Sequence, residues 1–360
     1  MRAALFRRHG GPEVLELGDV PEPVPGPGEV RVRVRAVAVN HIDIWMRRGL
    51  PAMKLALPHV SGGDVCGVVD AFGPATRTTV GRGGEDGSAS ADVALGSRVV
   101  VNPGISCGIC RACLAGRDNL CPRFRMLGEH MHGGMAEAVV VPVENLVPVP
   151  PEAAAIDDTA LAALPISFIT AWQMLVDKAA VRHGETVLVL GAGSGVGVAA
   201  IQIAKLFGAR VIAAASTERK LAAARALGAD DTIDYVKDEL VAAVKRLTGR
   251  RGADVIVEHT GAATFPKAVV ACARGGRIVT CGATDGYEAA LNLRHVFWRQ
   301  LSILGSTLAP KSCLFGIVDL VAAGRLRAVV DRVLPLADVA EAHRAIEARD
   351  VFGKIVLTLT

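Results

Sequence analysis

"TVLVLGAGSGVGVAAIQIAK" (Thr186–Lys205) decides how this chain folds. "TVLVL" is an apolar run of strand length bounded by a turn signal, as a strand buried on both faces requires. Gly191, Gly193, Gly195 and Gly197 then open a tight turn. "GVAAIQIAKLFG" has helical texture and stops at Gly208. The alternation continues downstream through "RVIAAA", "TERKLAAARALG", "DDTIDY", "DELVAAVKRLTG", "ADVIVEH", "ATFPKAVVACA", "GRIVTCG" and "QLSILGST". Strands regularly separated by helices imply an α/β fold with a doubly wound parallel sheet. Upstream the texture is different. "EVRVRVRAVAV" (Glu29–Val39) alternates with period two, and "SRVVVNP" and "AEAVVVP" are short strands bounded by Gly or Pro. This β-rich part gives way near Ala153, and the tail "ARDVFGKIVLTLT" is a strand returning to it. "GPATRTTVGRGGEDGSASADVALG" (Gly73–Gly96) reads as an exposed, mobile loop.

A chain of 360 residues is long for one core and suits two domains. Hydrophobic residues make up 51% and aromatics only 4%, so the interior is built from aliphatic side chains, as helices on a parallel sheet require. The net charge of +4 comes without a Lys/Arg block, which argues against a nucleic-acid partner. "MRAALFRRHGGPEVLELGDV" has no apolar core of a secretory signal, and the most hydrophobic window, Val187–Ile203, is laced with glycine, so no membrane span is expected. Scattered Cys66, Cys272, Cys281 and Cys313, with no signal, point to a reducing cytoplasm. There the C-x2-C-x2-C-x7-C cluster in "SCGICRACLAGRDNLC" (Ser106–Cys121) reads as metal thiolates rather than disulfides.

The glycine turn suits a dinucleotide. A pyrophosphate reaches a helix N-terminus only where the backbone comes close, which marks Gly191, Gly193, Ser194, Gly195 and Val196 as cofactor-binding candidates. The strict G-x-G-x-x-G register is missed by one residue. At the end of the second strand, Ala215 stands where an acid would accept from the ribose hydroxyl groups. Ser216, Arg219 and Lys220 follow, which favours NADP(H) over NAD(H).

Taken together, "GPGEVRVRVRAVAVNHIDI", "GGDVCGVV", the four-cysteine loop, "GGMAEAVVVP", the glycine loop and "GKIVL" resemble the medium-chain dehydrogenase/reductase superfamily of zinc-type alcohol dehydrogenases and quinone reductases. The resemblance spans essentially the whole chain. It implies a GroES-like β-barrel domain over 1–152 and 310–360, interrupted by a Rossmann domain over 153–309, with the active site in the cleft between them. It implies one structural zinc on Cys107, Cys110, Cys113 and Cys121, in a lobe over about 102–124. Four thiolates leave no open coordination position, so that zinc cannot touch substrate. Arg111, Arg117, Arg123 and Arg125 are placed to offset its charge.

The family's catalytic zinc ligands are replaced here by Asn40, Gly63 and Ile166, and its proton relay by Ile42 and Trp45. A metal site rebuilt from His41, His59, Asp43 and Asp64 stays open as an alternative. Without a metal, an acceptor whose product anion is delocalised can be reduced with hydrogen-bond donors alone. Asn40 is expected to donate its amide to substrate or to the nicotinamide ribose, Asp43 to orient cofactor or loop groups, and Thr170 to lie near the nicotinamide. Lys354 matches a basic residue of the family near the pyrophosphate. Three readings compete: a reductase of a quinone, enone or aldehyde/ketone with structural zinc only; an alcohol dehydrogenase with a rebuilt metal; and a non-catalytic dinucleotide sensor. The resemblance implies a homodimer or homotetramer, with "RQLSILGST" as an edge strand. Trp45, Phe168 and Trp298 are candidates for an apolar pocket lining.

Overall fold

The computed structural model describes residues 1–50, 53–81 and 90–359. The chain forms two compact units, one from Met1–Ile166 with Pro310–Thr360 and one from Ser167–Ala309.

In the first unit, alternation in "EVRVRVRAVA" builds the centre of a seven-stranded sheet. Val30, Val32 and Val34 of the Glu29–Ala38 strand point into the core. Arg31 and Arg33 point the other way, and both reach Asp70 at 2.9 Å. The alternation ends at Ala36, where consecutive residues are buried. Both strand edges are taken there, by Asp64–Phe72 and by Lys354–Thr358, and the Asp158–Ala162 helix packs on the strand. Val330–Pro335 pairs in parallel with the terminal strand, so the segment after residue 310 completes this sheet.

That Asp158–Ala162 helix also explains why the first unit runs to Ile166 and not to the boundary expected at 152. Its Asp158 carboxylate takes Arg98 at 2.5 Å and Arg35 at 3.4 Å, both on strands of the first unit. The sequence signal at Ala153 marks the end of strand texture, not a change of core. Of the Gly73–Gly96 segment read as a loop, residues 82–89 lie outside the described residues. Thr79–Gly81 and Ser90–Asp92 are not loop but an antiparallel pair.

The second unit is a six-stranded, all-parallel sheet. From edge to edge the strands are Asp231–Asp234, Arg210–Ala215, Thr186–Val189, Ala253–Glu258, Cys272–Thr280 and Ser302–Gly305. Numbered along the chain this is the order 3-2-1-4-5-6 of the Rossmann fold, in which ligands bind where the strand order reverses. Leu188, Ile212, Ile233, Ile256 and Ile278, one from each of five strands, form a single core with the Leu240–Leu247 and Phe265–Ala271 helices. Val187, Val211 and Val255 on the opposite face are equally buried, so both faces of the sheet are covered. Among the described residues no helix is long and apolar enough to cross a membrane.

Close backbone approach fixes one glycine of the first sheet. A Cβ on Gly67 would lie 2.2 Å from the Arg33 carbonyl oxygen across the strand pair. Gly→Ala usually stabilises where the backbone allows it. Here Gly67→Ala is expected to destabilise by about 1–3 kcal/mol through overpacking, read as a lower urea midpoint.

Candidate active site and zinc lobe

Asp64 begins its strand fully buried, and a buried carboxylate must find partners. It finds three. Oδ2 accepts from Asn40 Nδ2 at 2.9 Å and from Lys354 Nζ at 3.0 Å, and Oδ1 accepts from the Ile166 backbone N–H at 2.8 Å. Lys354 also donates to Asn40 Oδ1. The glycine beside Asp64 has a local reason: a Cβ on Gly63 would meet the Leu127 carbonyl at 3.0 Å and Ile166 Cδ1 at 3.1 Å. Asn40, Gly63 and Ile166 thus surround Asp64.

This geometry bears on the roles expected of Asn40, Lys354 and Asp43. Both amide hydrogens of Asn40 are already committed, to Asp64 and to the Ala38 carbonyl at 3.3 Å, so Asn40 has none for substrate. Lys354 is held against Asp64 and Asn40 within the first unit. An ammonium has three hydrogens, and two are used. Asp43, also fully buried, accepts from the Asn40 N–H at 2.7 Å and the Gly62 N–H at 2.9 Å. It therefore orients loop backbone. Burial pushes its pKa up to about 7, against the pull of those two N–H groups and of Lys354.

The rebuilt metal set is not gathered. Among the described residues, the four clustered cysteines are the group of three or more His, Cys, Asp or Glu side chains whose ligand atoms come together. His59 instead packs between Phe6 and His132, with ring centroids 5.5 Å from each, and its Nε2 lies 3.0 Å from the Gly128 carbonyl. The three candidate aromatics differ in setting, Trp45 in the first unit and Phe168 and Trp298 in the second. Trp45 packs with Phe6, Val14 and Met46, Phe168 is buried, and Trp298 is 70% exposed. Thr170 is buried on the Pro165–Trp172 helix and falls in the second unit.

In the second unit the glycine loop sits at the strand-order reversal, between the ends of Thr186–Val189 and Ala253–Glu258. Gly191 has φ +60°, a left-handed conformation that favours glycine. Gly197 lets the Gly195–Leu206 helix approach the strand, since a Cβ there would be 2.5 Å from the Gly191 carbonyl. Ser194 caps that helix by accepting from the Gly197 N–H at 2.9 Å. Its first turn, with Gly195 and Val196, presents backbone N–H groups that no carbonyl of the helix can reach. A residue missed in the sequence adds to this loop: His259 Nε2 lies 2.8 Å from Ser194 Oγ. Nothing in "ADVIVEH" signals that role; only the strand order brings His259 beside Ser194. At the end of Arg210–Ala215, Ser216 is half-buried, Arg219 exposed and Lys220 buried. Glu218, the first acid after this strand, pairs with Arg225.

The four-cysteine lobe fits a tetrahedral zinc. Four Zn–S bonds of about 2.3 Å require sulfurs about 3.8 Å apart. Cys110 and Cys107 lie 3.5 and 3.9 Å from Cys113, and all four ligand atoms fall within 4.8 Å of one another. The Ile109 N–H, helped by the Cys110 N–H and Arg123, pulls the Cys107 thiol down to about 6, so it is readily a thiolate. Cys107 above all, with Cys121 and Cys110, favours the charged form of the Arg123 guanidinium. The lobe is tied to its unit through Asp118, which accepts from the Lys311 N–H at 3.1 Å.

His59 supplies a pH test. Burial pushes its imidazole down to about 4, so the folded protein binds fewer protons than the unfolded chain below pH 6.5. Its share of stability is full above 6.5 and is lost as pH falls toward 4. At pH 5 the loss is about 2 kcal/mol. His59→Gln is expected to flatten the urea-unfolding stability between pH 7 and 5 by that amount.

Comparison with known proteins matches both halves of this description. Residues 26–151 match the alcohol dehydrogenase GroES-like domain and residues 195–323 the zinc-binding dehydrogenase family. A crystal structure of an NAD-dependent alcohol dehydrogenase is 55% identical, with a TM-score of 0.92 and both chains covered in full. A cobalt- and zinc-bound thermostable alcohol dehydrogenase from Pyrobaculum aerophilum is 33% identical at a TM-score of 0.86, covering 100% of this chain and 99% of that one. The quinone oxidoreductase of Homo sapiens is 30% identical over 367 residues, covering 100% of this chain and 98% of the relative. A barrel unit split by a 3-2-1-4-5-6 nucleotide unit, carrying a four-cysteine lobe, places the chain in the medium-chain dehydrogenase/reductase superfamily, as an NAD(P)-dependent oxidoreductase.

Proposed function

We propose that the chain reduces a quinone, enone or aldehyde/ketone with NAD(P)H, and that its zinc is confined to the four-cysteine lobe. The observation that carries this reading is the Asp64 cluster. The carboxylate that the replaced ligand positions surround, Asp64, already holds a cation, the Lys354 ammonium at 3.0 Å. A dication brought to that place would meet like charge and residues such as Gly63 and Ile166 that cannot ligate. Bound reduced nicotinamide supplies the hydride, and the Gly191–Val196 loop is the proposed seat of its pyrophosphate. Hydride at the β-carbon of an enone or quinone leaves charge on a delocalised oxygen. The third Lys354 hydrogen is the donor proposed to stabilise that oxygen.

For the nucleotide, the missing strand-end acid at Ala215 and the nearby cations Arg219 and Lys220 support NADP(H), with Glu218 drawn to Arg225. The 55%-identical structure is of an NAD-dependent alcohol dehydrogenase, which makes the cofactor ratio an informative measurement. Self-association belongs to the same reading. Ser302–Gly305 is an open sheet edge with Ile303 exposed, beside exposed Phe297 and Trp298, which supports pairing with a second copy.

The deciding experiment combines metal analysis with NADPH and NADH oxidation on quinones, enones, aldehydes and ketones. One zinc per chain, with turnover on an activated acceptor and preference for NADPH, is expected. A second zinc required for turnover would overturn the metal assignment, and tight nucleotide binding without turnover on any acceptor would favour the sensor. The cluster itself is tested by Lys354→Met, which leaves a buried carboxylate without its cation and is expected to cost about 3–5 kcal/mol. Adding Asp64→Asn should restore most of that stability while turnover stays about 100-fold down, as for the loss of one donor to a developing anion.

A further inference from the structure

We infer that His259 is a positioning residue that turns the Ser194 hydroxyl toward a phosphate of the bound nucleotide. The inference rests on the nucleotide-binding reading of the glycine loop. Ser194 Oγ has two lone pairs and one hydrogen. The Gly197 N–H occupies one lone pair at 2.9 Å. His259 Nε2, at 2.8 Å, meets the remainder of the hydroxyl in one of two ways. If Nε2 is bare, it takes the Ser194 hydrogen, and the hydroxyl has nothing left to give. If Nε2 carries a proton, it fills the second lone pair, and the Ser194 hydrogen is free to point outward.

An anion at the start of the Gly195–Leu206 helix discriminates between these states. It is stabilised by an outward O–H and by a proton on the imidazole, so binding shifts the pair to the second arrangement. The couple then adds a side-chain donor to the backbone N–H groups of the helix end. Its placement is not accidental to the turn. His259 Nε2 lies 2.9 Å from where a Cβ of Gly191 would stand, so the glycine at φ +60° also makes room for the imidazole. The pair bridges the two strand ends that flank the reversal of strand order, Thr186–Val189 through the loop and Ala253–Glu258 directly. Glu258, the neighbouring acid, is turned away: its carboxylate accepts from the Thr260 and Gly261 N–H groups and from Thr264 Oγ1 at 2.5 Å.

The test is a binding comparison in the full chain, using ADP-ribose, which carries the pyrophosphate, and adenosine, which does not. Both are measured as competitors of NADPH fluorescence. His259→Leu is expected to weaken ADP-ribose about tenfold, the scale of one hydrogen bond to a charged group, and to leave adenosine unchanged. His259→Gln, which keeps an N–H at similar reach, should stay within about threefold of the parent. In a Ser194→Ala background, His259→Leu should have no further effect. Equal binding by His259→Leu and the parent, equal loss with Gln and Leu, equal loss of adenosine, or additive effects of the two sites would each overturn the inference. A chain without turnover on any acceptor that still shows the expected pattern would fail the reductase reading and keep this one. A working reductase whose His259→Leu form binds ADP-ribose normally would do the reverse.

Discussion

The Asp64–Lys354 ion pair is the constraint on which the first unit turns. A carboxylate with no exposed surface is tolerated only with its charge balanced and its lone pairs filled. Satisfying it fixes four separate pieces of chain at once. Lys354 begins the last strand, Asn40 follows the central strand, Asp64 begins the strand on its other side, and Ile166 lies in the first turn of the Pro165–Trp172 helix. Asp43 extends the arrangement by holding the backbone of Asn40 and Gly62. The proposed donor to substrate is part of the same cluster. Its position is therefore set by the packing of the sheet and not by a flexible loop.

Much of the architecture was legible because periodicity is a local signal. The apolar run at Thr186, the glycines after it and the helix that follows identify a nucleotide-binding βα unit, and the repeated alternation gives a parallel sheet. The four cysteines were legible for a similar reason, since three of them lie within seven residues and the fourth eight further on. Less legible were relations between distant segments. Nothing near Lys354 announces that it will meet Asp64, 290 residues earlier. Nothing near Asn40 reveals that both its amide hydrogens will be taken. His259 is silent in the sequence because a histidine at a strand end has no local signature. The unit boundary is obscured for the opposite reason: texture changes at Ala153, but Asp158 still belongs electrostatically to Arg98 and Arg35.

The four-cysteine lobe and the Asp64 cluster put charge to two different uses. In the lobe, four soft ligands at tetrahedral spacing offer a closed cage suited to holding a surface segment in place. In the cluster, a carboxylate, an amide and an ammonium neutralise one another without a metal. The first arrangement is easy to read as the chemical centre from the sequence alone. The second is where the proposed chemistry resides, built from residue types that carry no motif.

Lys354 comes after the inserted nucleotide unit in the chain, which gives the first unit a particular order of assembly. The Ser167–Ala309 unit has its own core and is complete in sequence before Lys354 is synthesised. On the ribosome, Asp64 emerges long before its counter-ion and must wait in water while some 290 residues are added. The barrel can therefore close only after the nucleotide unit has left the peptidyl-transferase centre.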